Sequence, residues 1–99
     1  MSLRRGERIS IAYQIESTFG GPITLWLGAD CWPHYNVKED LEVSVNVGTH
    51  TFHRWLTVGD DWPGGPHKLG IGVWVGPVSN PDDSLRLAVR LPAATIQVM

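Results

Sequence analysis

Five tryptophans in 99 residues are the side chains best suited to hold a ligand, and two of them occupy matching places. Trp26 lies between Leu25 and Leu27, and Trp74 lies between Val73 and Val75. Successive side chains of an extended chain point to opposite faces, so each indole stands away from its aliphatic neighbours. If the two segments pair side by side, Trp26 and Trp74 share one outer face, with Arg86 and Arg90 of the last strand nearby. Gly70, Gly72 and Gly76 would leave a shallow floor there. An aromatic platform flanked by hydrogen-bond donors suits a sugar ring, whose C–H faces stack on indole. The same residues fit a cation–π stack of arginine on tryptophan, or a dimer interface, where tryptophan is enriched. The ligand-binding set read from the sequence is Trp26, Trp74, Arg86 and Arg90, with a glycan, a protein or a second copy as partner.

Other groupings offer less chemistry. Trp32 and Trp62 fall in two long loops expected to open at one end, together with Asp30, Cys31, His34, Asp60, Asp61 and His67. Cys31, His34 and His67 are zinc-ligand types, but their spacing follows no established zinc pattern, so no metal or cofactor is expected. Trp62 is expected instead to plug that end, with His67 donating a hydrogen bond back to the loop. His50 and His53 are three apart on a strand and face opposite ways. Glu7, Glu16, Glu39 and Glu42 are scattered over wet faces, and no nucleophile sits on a sharp strand-to-helix turn. In GIGVWVG the glycines fall at period two with no helix behind them, which is not a phosphate loop. The chain is therefore read as no enzyme.

The elements that must position these residues are strands. Ile9, Ile11, Tyr13 and Ile15 alternate with polar residues, as do Leu41, Val43, Val45 and Val47, and Leu85, Leu87, Val89 and Leu91. A period of two predicts strands with one buried face, and several of them predict an antiparallel β-sandwich of about seven or eight strands. The predicted strands cover Glu7–Glu16, Ile23–Ala29, Leu41–Val47, Thr51–Val58, Lys68–Val75, Leu85–Leu91 and Thr95–Val98. Gly48-Thr49 reads as a hairpin turn, Asn80-Pro81-Asp82-Asp83 as a second turn, and Pro92 as a bulge or a switch between sheets. Ile11, Tyr13, Leu25, Leu27, Val43, Val45, Ile71, Val73, Leu87 and Val89 form the predicted core. In Thr51–Val58 the phase turns Arg54 inward, which is costly unless it is paired. An edge strand, or a bulge that turns Trp55 inward instead, would each answer that.

Length predicts one domain over residues 1–99, with residues 1–6 disordered or vector-derived. A net charge of −2 gives no electrostatic footprint for nucleic acid. One cysteine, Cys31, excludes an intrachain disulfide. No apolar run is long enough to span a bilayer, and no apolar segment follows the first arginines as in a signal peptide. Localisation stays open, with the cell envelope or the outside of the cell favoured.

The opening GERISIAYQIESTFGGPITLWLGAD resembles the start of bacterial immunoglobulin-like or fibronectin-like accessory domains. WPGGPHKLGIGVWVG is similar to a stretch found in carbohydrate-binding C-terminal domains of polysaccharide ABC transporters, departing from it at His67, where those domains carry tyrosine. The resemblance implies an immunoglobulin-like fold and a glycan-related role. The expectation is a non-catalytic binding module acting through its tryptophan face. The alternative is a structural or oligomerisation domain that packs on itself or on a neighbour.

Overall fold

The computed structural model describes residues 1–75 and 86–99. It is all-β. The strands are β1 (Ser2–Leu3), β2 (Arg8–Ser17), β3 (Ile23–Asp30), β4 (Leu41–Val45), β5 (Gly48–Thr57), β6 (Gly65–Val75) and β7 (Arg86–Val98), with one 3₁₀ turn at Val37–Glu39. The runs rich in Ile, Val, Leu and Trp form these strands because such side chains pack well on a pleated, half-buried surface. The expected turn at Asn80–Asp83 lies outside the described residues.

Two sheets result. One has the order β1-β7-β6-β3-β4, and the other pairs β2 with β5. A single buried cluster draws Ile11, Tyr13 and Leu56 from the smaller sheet and Leu25, Leu27, Val43, Val45, Leu69, Ile96 and Val98 from the larger. Tyr13 ties the two sheets together, its hydroxyl donating to the Gly28 carbonyl at 2.6 Å. Burial raises the Tyr13 pKa, so the phenol keeps its proton and the bond keeps its donor.

Several expectations need correction. β4 and β5 do not form a hairpin: β4 pairs with β3 and β5 with β2. The chain crosses from one sheet to the other between Val45 and Gly48, whose φ of +112° only glycine adopts at low cost. The two strands expected at Leu85–Leu91 and Thr95–Val98 are, over the described residues, the single strand β7 from Arg86 to Val98, and near Pro92 the register slips from Leu69↔Ala94 to Ile71↔Arg90. Pro92 therefore marks a bulge and not a switch between sheets. Two extra residues on β7 leave its parity intact, so the even-numbered set that buries Ile96 and Val98 continues through Ala88 and Arg90. Leu87 and Val89, expected in the core, are 59% and 54% exposed. Ile71 and Val73 are half-buried, because they face an opening between the sheets. That cavity of about 430 Å³ is lined by Tyr13, Ile15, Ile71, Val73, Ala88 and Arg90, among others.

The first six residues, expected to lie outside the fold, contribute to it. Ser2 and Leu3 pair in parallel with Gln97 and Val98, Leu3 is buried, and Arg5 Nε donates to the Trp62 carbonyl at 2.8 Å. Among the described residues no helix is long and apolar enough to cross a membrane.

Candidate functional site

Trp26 and Trp74 are register partners on the adjacent strands β3 and β6. The row continues in both directions, Glu42 of β4 opposite Trp26 and Arg86 of β7 opposite Trp74. Cross-strand partners in a regular ladder share a face, so Glu42, Trp26 and Trp74 form one line across three strands, while Arg86 pairs with Trp74 where the β6–β7 register shifts between Val73 and Trp74. Arg90 does not join them. It is opposite Ile71 and lines the opening between the sheets, a consequence of the same parity that exposes Val89.

Both indoles are half-buried. Trp74 lies flat on the sheet over two glycines. A Cβ built on Gly72 would come within 2.6 Å of its ring, and one on Gly28 within 2.7 Å. No other residue leaves room for the ring there. The glycines are thus a seat for Trp74 and not an open floor for a ligand. The Trp74 Nε1–H is buried without a hydrogen-bond partner among the described residues. Trp26 is fixed differently, its Nε1 donating to Asp40 Oδ2 at 2.8 Å.

Asp40 is the hub beneath this face. It also accepts from the Tyr35 hydroxyl and from Arg54, whose Nη2 is 2.6 Å and Nε 3.1 Å from Oδ1. Both members of the Arg54–Asp40 ion pair have fully buried side chains. Arg54 Nη1 donates to the Trp55 carbonyl at 2.6 Å, and Nη2 reaches the Ala29 and Asn36 carbonyls at 3.4 Å. The inward arginine is therefore resolved by pairing. Trp55 stays outside, with the Arg8 guanidinium 4.1 Å from its ring centroid, and β2 and β5 pair in register throughout. Burial, with the bond to Asp40, raises the Tyr35 pKa, so that hydroxyl also remains a donor. No periodicity announces Asp40, because it lies in the loop before β4 and acts across three other segments.

The far end of the molecule matches the reading of Trp62. It is buried, and His34 stacks on it at 5.0 Å between ring centroids. His67 packs against both rings, and its Nε2 donates to the Pro63 carbonyl at 2.8 Å. Cys31 is fully buried, and burial with nearby Asp30 pushes its pKa up to about 11, so it stays a protonated, unreactive thiol. Trp32 stands 80% exposed at the rim. A cleft of about 300 Å³ between Tyr35, Asn36, Asp61 and Trp62 opens beside it. Glu39 borders that cleft with its carboxylate taken up by the backbone N–H and the hydroxyl of Thr57, at 3.1 and 2.6 Å. Among the described residues, no three His, Cys, Asp or Glu side chains are grouped as metal ligands would be.

The most developed surface is thus the outer face of the five-stranded sheet. Its two indoles are immobilised from beneath, and Leu87 and Val89 extend their apolar surface along β7. Compared with models of known protein families, with curated proteins and with solved structures, the chain matches none.

Proposed function

We propose that this chain is a non-catalytic binding module whose ligand surface is the outer face carrying Trp26 and Trp74. We read its two sheets as the halves of an immunoglobulin-like or fibronectin-like β-sandwich. The strand order β1-β7-β6-β3-β4 against β2-β5, around one shared core, supports that reading.

The observation that carries the functional reading is the cross-strand pairing of the two indoles, with Trp74 seated on Gly28 and Gly72. A surface held this rigidly loses little entropy when something docks on it. The ionisable groups next to it favour binding over catalysis. Asp40 and Arg54 neutralise each other, fully buried, and serve to hold Trp26 and Tyr35 in place. A carbohydrate ring stacked on the indoles, with Arg86 donating to its hydroxyls, is the small-ligand form of this function. A protein face is the other.

Titration with soluble polysaccharides, followed by tryptophan emission, tests the carbohydrate form. It expects a saturable shift that Trp74→Ala abolishes and Arg90→Ala leaves intact. A shift that survives Trp74→Ala would place the ligand elsewhere.

A further inference from the structure

We propose that the outer edge of β2, with the opening behind it, takes an extended segment of another protein as an added β-strand. The segment carries apolar side chains at alternate positions and a carboxylate facing Arg90. This surface is separate from the tryptophan face and does not rest on it.

β2 runs for 10 residues, Arg8–Ser17, and among the described residues it pairs with β5 alone. In an antiparallel edge strand every second residue turns its N–H and C=O away from the neighbouring strand. Proteins blunt such edges with proline, lysine, bulges or short strands, because an unpaired edge accepts another chain. β2 has none of these. It stays in register with β5 from end to end. Ser10, Ala12 and Gln14 on its exposed side are neutral, with charges only at Arg8 and Glu16. β7, across the opening, is blunted, since it bulges near Pro92, which has no N–H to offer.

The opening lies where the added strand would go. Tyr13 and Ile15 of β2, Ile71 and Val73 of β6, and Ala88 and Arg90 of β7 line its volume of about 430 Å³. Ile15, Ile71 and Val73 are only half-buried, and Ala88 and Arg90 are exposed. Farther along β7, where β1 lies beside it, Ile96 and Val98 of the same even-numbered set are buried. The sandwich is thus closed at that end, while among the described residues no strand covers the other.

A strand added to β2 covers the gap. It sits about 4.8 Å from β2 and about 10 Å from the larger sheet, the spacing at which the inner side chains of two sheets meet. Along Ala12–Ile15, where β2 borders the opening, it turns alternate side chains inward, toward Ile71 and Val73. Arg90 has no ion-pair partner among the described residues, so a carboxylate on the added strand answers it. A small amphiphile could fill the gap but would leave the unpaired main chain of β2 to water. Another backbone satisfies both, with main-chain bonds supplying affinity and alternate side chains supplying specificity.

Phage display of random peptides of β2's length tests the proposal. Selection on the protein is expected to enrich sequences that alternate apolar and polar residues, with an acidic residue at one of the apolar positions. A synthetic peptide of the enriched sequence is expected to slow hydrogen exchange at alternate β2 amides, those turned away from β5. Methylating its amide nitrogens along one edge is expected to abolish binding, and along the other edge to leave it. Arg90→Glu is expected to weaken the acidic peptide several-fold and to bind its lysine counterpart better, an exchange that misfolding cannot produce. Ala88→Trp, which fills the opening from an exposed position, is expected to remove binding while circular dichroism stays that of wild type. Failure to enrich any alternating sequence overturns the proposal. So does a peptide indifferent to methylation on both edges or to the charge at Arg90. Protection of the β2 amides that rises with protein concentration alone gives the edge to a second copy. Dodecanoate that displaces the peptide and leaves those amides unprotected gives the opening to an amphiphile. Either result overturns the proposal as well.

Discussion

Arg54→Met removes a guanidinium from a site where its side chain is wholly enclosed. The methionine fills much of the same volume, so the loss is mainly polar. Breaking a buried ion pair from one side costs about 3–5 kcal/mol, because the remaining charge is left without its counterpart. Here the two sides are unequal. After Arg54→Met the Asp40 carboxylate still accepts from Trp26 and Tyr35, which puts the loss near the lower end, about 3 kcal/mol. Asp40→Ala leaves the buried guanidinium without its anion and takes the acceptor from the Trp26 N–H and the Tyr35 hydroxyl. Its loss belongs at the upper end, about 5 kcal/mol. A domain of this size loses roughly 4–8 °C in Tm per kcal/mol, so both variants should melt at least about 12 °C below wild type. Urea denaturation followed by tryptophan fluorescence measures the two free energies. Asp40→Ala less damaging than Arg54→Met, or either loss under about 1 kcal/mol, would refute the hub.

Gly72→Ala puts a Cβ where the Trp74 ring lies, so it should cost about 1–3 kcal/mol and shift tryptophan emission as the indole lifts from the sheet. Leu27→Ala, at a fully buried position, should cost about 2–5 kcal/mol, while Leu87→Ala on the open face should stay within about 0.5 kcal/mol; urea midpoints compare them. Burial raises the Asp30 pKa, more than the Trp32 backbone N–H and Arg54 lower it. A carboxyl whose folded pKa lies above its unfolded value favours the fold while protonated and loses that advantage as the pH rises through the folded value. Asp30→Asn should therefore raise Tm at pH 7, and the gain should vanish below the ordinary carboxylate range; a gain independent of pH would assign it to something other than charge.

Alternation alone locates the strands, because a half-buried strand must expose every second residue. It also locates Trp26 and Trp74 on one face, since both alternate with the inward aliphatic residues of their strands. It fails at β7 for a physical reason. Leu85, Leu87, Val89 and Leu91 form an odd-numbered aliphatic set, whereas burial follows the even-numbered Ile96 and Val98. The bulge near Pro92 adds two residues, and an even insertion cannot flip the face. The segment's own pattern lost to the phase set by the rest of the strand, so Arg90 turned toward the opening and Val89 toward solvent. Asp40 left no such trace. Its partners Trp26, Tyr35 and Arg54 come together only once both sheets are in place.

The parallel pairing of β1 with β7 gives the chain a mechanical character. The Gln97 N–H donates to the Met1 carbonyl at 2.8 Å, and the Met99 N–H to the Leu3 carbonyl at 2.9 Å. Tension applied between the two ends draws β1 and β7 past each other along their common direction. Both hydrogen bonds are then strained at the same moment, as in a lap joint under shear, and neither peels ahead of the other. Resistance to pulling, which follows the unfolding rate and not the equilibrium stability, should therefore rise with each residue added to this pairing.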